Sequence, residues 1–188
     1  VLHTTPYALR TKSMNELTLT TLFDHIRRSL DDYLPRQITD PAHPEMGSVF
    51  NPIIGMTDPW QDERLIKLVA YHALIGGWVD ETLFARAILA TDHLIKAQRP
   101  SGLIDLRSVN IDSSPDTGFT VQALCGLLDL TRPVRHTHPL WQALTGKIEQ
   151  FVRRAVPGLC SGGFHTPNHR WVITSALAYA HALFPDLD

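Results

Sequence analysis

The chain has 188 residues, 44 % of them hydrophobic and 19 % charged, with a formal net charge of −2. That length and composition suit a globular domain with its own core and exclude a disordered polymer. The near-zero charge excludes a broad electrostatic field for nucleic acid or anionic membranes, and no apolar run reaches membrane-spanning length, so any anion site must be local.

The opening "VLHTTPYALRTKS" lacks the basic, apolar, then small pattern of a secretory signal. A helical pattern follows over about 14–34. A long loop rich in Gly, Pro, Asn and Asp (35–58) leads to "DPWQDERLIKLVAYHALIG", read as a helix over 59–76. After the short return "GGW", the amphipathic run "VDETLFARAILATDHLIKAQ" predicts a surface helix over 79–98. A second long loop (99–114) precedes a nearly uncharged helix over 115–130. The basic return "TRPVRHTH" leads to an amphipathic helix over 139–156. A third loop (157–166) precedes the last helix, 167–184.

One set of signals recurs at three of these starts. Asp58, Ser114 and Thr166, each a good N-cap, precede Pro59, Pro115 and Pro167, and proline is tolerated in the first turn because its missing N–H has no helical partner there. The prolines stand 56 and then 52 residues apart, a period that indicates repeated architecture. The helices they open are apolar nearly all round and are read as inner helices; the amphipathic ones are outer. The expected fold is all-α: an (α/α) toroid, or part of one, built from three outer/inner hairpins with the long loops on one face. The whole of 1–188 is read as a single all-helical domain, the N-terminal part of a larger toroid and catalytically silent alone. The last inner helix then leaves an apolar flank uncovered, a surface for self-association.

Functional chemistry is expected on the loop face. Asn168, His169 and Arg170 fall in the first turn behind Thr166 and Pro167, where unpaired N–H groups and the positive helix end favour an anion. Solvated and packed roles for these three are the competing reading. The matching turn of the second inner helix holds Asp116 and Thr117, and its loop adds Asp105, Arg107, Asn110 and Asp112. These carboxylates read as glycosidase-type acids or as helix caps, with capping favoured for Asp116. Trp60, beside Gln61, together with Phe164 and Trp171 offers flat faces for sugar rings, or core anchors. No nucleotide-binding glycine motif or nucleophile elbow is present, and no cofactor is implied. Pro167 breaks the register between His165 and His169, and Cys125 and Cys160 have no metal spacing, so no metal site is read. The basic return loop reads as solvated surface rather than a nucleic-acid patch.

With "GGF" in an outer-to-inner loop and "PNHRW" opening an inner helix, the last third of the chain resembles the (α/α)-toroid polysaccharide lyases of the heparinase II/III-like and alginate-lyase-like groups. The resemblance implies β-elimination on a uronic-acid-containing polysaccharide, the acidic polymer being the partner, with no membrane or nucleic acid involved. Asn168 and His169 match the pair that neutralises the substrate carboxylate, and Arg170 could assist. The tyrosine that such enzymes use as acid or base has no match, since Tyr179 lies about three turns into the same helix. Two alternatives stay open: a hydrolase of unsaturated glucuronides using Asp112 and Asp116, and a non-enzymatic helical-repeat binding module.

Overall fold

The computed structural model describes residues 18–163 and 166–187. Within them lie six helices: α1 (Leu19–Tyr33), α2 (Pro59–Gly76), α3 (Glu81–Lys96), α4 (Ser114–Thr131), α5 (Pro139–Ser161) and α6 (Pro167–Leu183). Two antiparallel hairpins sit in the first two long loops, β1 (Phe50–Asn51) with β2 (Met56–Thr57), and β3 (Ile104–Leu106) with β4 (Asn110–Ser113). The chain is mostly helical, and the three outer/inner pairs are α1 with α2, α3 with α4, and α5 with α6.

The proline-led starts hold, with one shift. Asp58 caps α2 by accepting the Trp60 N–H at 3.2 Å. On α4 the cap is Ser113, not Ser114: proline at the second helical position has no N–H to give, so the Ser113 hydroxyl accepts from Asp116 N at 3.3 Å. Thr166 takes the cap position of α6, but its hydroxyl bonds the Asn168 side chain instead of a backbone N–H. The expected start of α1 near 14 lies outside the described residues; the helix opens behind Thr18, whose hydroxyl accepts from Thr21 N at 3.1 Å. Gly77, in the left-handed region at φ 77°, ends α2 and makes the tight return to α3.

The inner helices run side by side in one direction. Trp60 at the head of α2 donates its indole N–H to the Asp116 carbonyl at the head of α4, 3.3 Å away. A Cβ on Gly118 would stand 3.5 Å from the Ile173 Cα of α6, and Leu128 and Leu183, near the far ends of α4 and α6, line one cleft. Outer helix α3 packs against α2 and α5, and α5 packs against both α4 and α6. A single apolar core joins Leu65, Ile66 and Val69 of α2, Phe84 and Leu94 of α3, Val121 and Leu124 of α4, Ile148 and Phe151 of α5, and Ala176 of α6. On α6, Trp171 and Tyr179 are exposed.

α5 runs past its expected end at 156, through Pro157, because one face of its last turns is buried: Val156 and Leu159 are in the core, and Gly158 packs against the loop that precedes β3. A Cβ on Gly158 would lie 2.5 Å from the Ser101 carbonyl oxygen. In an ordinary helix interior, glycine to alanine stabilises by about 0.8–1 kcal/mol. Here Gly158→Ala is expected to destabilise by about 1–3 kcal/mol through overpacking. Urea denaturation checks the sign, and a more stable variant would contradict the close approach.

Candidate functional site

The first turn of α6 lies open at the loop end. Asn168 and Arg170 are exposed, His169 is half-buried and Trp171 is 77 % exposed. Trp171 is therefore not a core anchor: its neighbours Val172 and Ile173 take the buried positions. The Asn168 side-chain carbonyl oxygen accepts from the Thr166 hydroxyl. Phe164 lies outside the described residues.

Trp60 is half-buried and meets the Phe119 ring edge-on at a centroid distance of 5.9 Å. Asp116 is buried at 7 % exposure, with its carboxylate accepting from the Ser113 hydroxyl, so it presents little surface to a ligand. The other polar residues of that loop are engaged likewise. Asp105 pairs with Arg99 at 2.6 Å and accepts from Asp112 N at 2.7 Å, Asp112 accepts from the Ser101 hydroxyl, and Asn110 donates to Ser113 at 2.8 Å. Thr117 accepts from Ile104 N at 2.9 Å and ties β3 to α4, while Gln61 is buried.

A groove of about 390 Å³ runs between α2 and α4, lined by Trp60, Glu63, Arg64, Lys67, Phe119 and Gln122 among others. Beside it a smaller hollow of about 290 Å³ brings Tyr33 and Tyr71 next to the same Arg64 and Lys67. Arg64 donates to the Tyr33 hydroxyl at 3.4 Å, and Lys67 pairs with Glu63 at 2.6 Å. Burial pushes the Glu63 carboxyl up, with Lys67 acting against it. Reading α2 as apolar all round missed this strip; the signal was the spacing of Trp60, Arg64, Lys67 and Tyr71 at helical intervals. The groove is walled by α2 and α4, so Trp60 and the α6 first turn do not share one pocket.

Sequence reasoning also missed a buried ionic network. His93 of α3 is 3 % exposed, with Nδ1 2.6 Å from the Asp62 carboxylate of α2 and Nε2 3.3 Å from that of Glu45. Asp62, wholly buried, also accepts from Val49 N at 2.7 Å and the Ser48 hydroxyl at 3.2 Å. Glu45 carries the network outward to Arg107 at 2.7 Å and to the Thr57 hydroxyl at 3.0 Å. The network thus clamps the first long loop to α2 and α3 and joins it to the β3–β4 turn.

Burial pushes the Asp62 carboxyl up to about 6, against the hydrogen bonds from His93, Val49 and Ser48 that favour its ionised form. Burial also opposes ionisation of Glu45, but the bonds from Arg107 and Thr57 prevail and lower it to about 2. The two act in opposite senses. The raised Asp62 value stabilises the fold below the ordinary carboxylate range, and that contribution is lost as pH rises through about 6. The lowered Glu45 value stabilises above the ordinary range, and that contribution is lost as pH falls toward 2. Between pH 4 and 6.5 the wild type is expected to lose on the order of 2–3 kcal/mol more stability than Asp62→Asn. Parallel slopes in denaturant titrations of the two proteins would refute this.

No protein-family model, characterised protein or solved structure matches this chain. Among the described residues, no group of three or more His, Cys, Asp or Glu side chains is arranged to hold a metal ion. Nor, among the described residues, is any helix long and apolar enough to cross a membrane.

Proposed function

We propose that the chain is a carbohydrate-active arc of an (α/α) toroid that binds an acidic polysaccharide and contributes to its cleavage by β-elimination. The observation that carries this reading is the open first turn of α6, where Asn168, His169 and Arg170 stand beside the exposed ring of Trp171. Pro167 has no N–H and that of His169 is given to the Thr166 carbonyl at 3.1 Å, so the Asn168 N–H and the positive helix end are what attract an anion, and the indole face suits a sugar ring.

In such a reaction a base removes the proton beside the uronate carboxyl group. Electrons flow into the new C4–C5 double bond, and the glycosidic C4–O bond breaks with its oxygen taking up a proton. The step is slow while the carboxylate keeps its charge. Donors aimed at its oxygens spread the charge of the enolate-like transition state and bring the proton within reach of an ordinary base. Asn168 and His169 supply those donors in this reading, with Arg170 as a further positive group. The Arg64 and Lys67 strip between Trp60 and Tyr71 extends the acidic-polymer surface along the inner helices. The hydrolase alternative draws no support, because the carboxylates of Asp112 and Asp116 are both engaged by serine hydroxyls.

The test is binding of uronate oligosaccharides against a neutral glucan of equal length, followed by calorimetry and by Trp171 fluorescence with Trp171→Phe as reference. Preference for the acidic chains, weakening with salt as screened charges require, supports the reading. Equal binding of both, or of neither, rejects it.

A further inference from the structure

Glu45 gathers three elements on one oxygen atom. Its Oε2 accepts from Arg107 of the β3–β4 turn at 2.7 Å and from the Thr57 hydroxyl of β2 at 3.0 Å, and it stands 3.3 Å from Nε2 of His93 on α3. The other ring nitrogen of His93 is 2.6 Å from the Asp62 carboxylate of α2. A carboxylate thus faces each side of a ring that is 3 % exposed.

That geometry fixes a proton count. Each nitrogen–oxygen contact needs a proton between its atoms, because an ionised carboxylate can only accept. With both carboxylates ionised, a neutral imidazole supplies one such proton, so the two contacts together hold one more, on the ring or on a carboxylate. Without it, a nitrogen lone pair points at a carboxylate oxygen. Asp62 is wholly buried and fixed by the Val49 N–H and the Ser48 hydroxyl, whereas Glu45 is part-exposed on a loop and makes the longer contact. Nδ1 therefore keeps the remaining proton, and Glu45, which can turn to water, is the group that yields.

Other charged groups around the ring do not replace that proton. On α3 itself, Lys96 reaches the first long loop at the Pro44 carbonyl, 2.6 Å away, and α5 sends Lys147 to Asp92 rather than to the ring. Arg107 steadies Glu45 without supplying a proton, since a guanidinium keeps its own. His43, exposed on the same loop, accepts the Glu45 N–H at 3.0 Å. A proton gained there breaks that bond as pH falls, which is the opposite sense. Burial lifts the Asp62 carboxyl to about 6, so what the shared proton contributes is present in acid and lost as pH rises through that value.

We propose that Glu45, Asp62, His93 and Arg107 form a proton-operated latch, which locks the first long loop to α3 and to the β3–β4 turn in mildly acidic solution and releases it when one proton leaves. Thr57, held by the latch, directly precedes Asp58, the cap of α2, and Trp60 at the head of the α2–α4 groove. Release therefore loosens the loop end of that groove. The latch does not depend on the polysaccharide reading.

Per-residue amide exchange by NMR on the full chain between about pH 5 and about pH 8, corrected for intrinsic rates, tests it together with the ring nitrogen shifts of His93. The Ser48 N–H, bonded to the Glu45 carbonyl at 3.0 Å, is expected to lose at least about tenfold more protection over that range than the amides of α4. The His93 ring nitrogens should shift with the same midpoint, Nε2 moving toward a bare lone pair. Glu45→Gln, which offers an amide N–H to that lone pair, should make the Ser48 protection independent of pH, whatever its level. His43→Ala should leave the dependence in place. A wild type with constant protection, a loss spread evenly over α4, His93 shifts that do not move, a dependence that survives Glu45→Gln, or one that vanishes with His43 would overturn the proposal.

Discussion

Asp62→Ala is expected to lower the free energy of unfolding by about 3–5 kcal/mol, the range for removing one partner of a buried ion pair. The carboxylate is wholly buried and serves three donors from two places in the chain: the His93 ring on α3, and the Val49 N–H and Ser48 hydroxyl of the first long loop. With alanine there, the His93 Nδ1 and the buried Val49 N–H lose their acceptor. Part of the cost is the cavity, but most is stranded polarity. Asp62→Asn separates the two, since it keeps the volume and one acceptor oxygen while losing the charge, and should fall between wild type and alanine. Chemical denaturation monitored by far-ultraviolet circular dichroism gives the numbers. A loss below about 1 kcal/mol for alanine would mean that the network does not clamp the loop.

His169→Ala should reduce the formation of unsaturated uronate ends by roughly 10²–10³-fold or more, the scale for losing one donor to a developing oxyanion. Stability should change by less than about 1 kcal/mol, because the residue lies in a first helical turn that is open to solvent on either side. Asn168→Ala should behave similarly in rate. If the pair acts on the substrate carboxylate in the transition state, kcat falls with little change in KM. A large rise in KM with kcat intact would assign the turn to uniform binding instead. Undiminished ultraviolet absorbance of the product in the His169 variant would remove it from the chemistry altogether.

Much of the helical framework was legible because its signals are local. Asp58 before Pro59 and Thr166 before Pro167 announce helix starts through steric rules that need no neighbours, and Gly77 announces a stop. The extension of α5 was not legible: Pro157 and Gly158 read as a break in one dimension. Only the approach of Ser101 and Leu103 shows why a side-chain-free helical position is required there. The clamp was hidden for a related reason. Glu45, Asp62 and His93 lie in a loop and on two helices, with no common spacing, and His93 reads as one more polar residue on an amphipathic run. The acids of the second loop illustrate the converse. Asp105, Asp112 and Asp116 were conspicuous as a cluster, yet each is occupied by a nearby donor that stabilises a hairpin or a helix end.

The clamp also sets an order of events during folding. The α2–α3 hairpin closes through the four-residue return Gly77–Asp80, a local step with little loop entropy to overcome. Glu45 meets His93 across 48 residues, and Arg107 meets Thr57 across 50, so these contacts gain nothing until both hairpins stand. The loop face is therefore assembled last on a finished helical frame. Its amides should be the first to open in native-state hydrogen exchange, while α2 and α4 still hold. A chain emerging from the ribosome would have its scaffold well before it had a surface able to recognise anything.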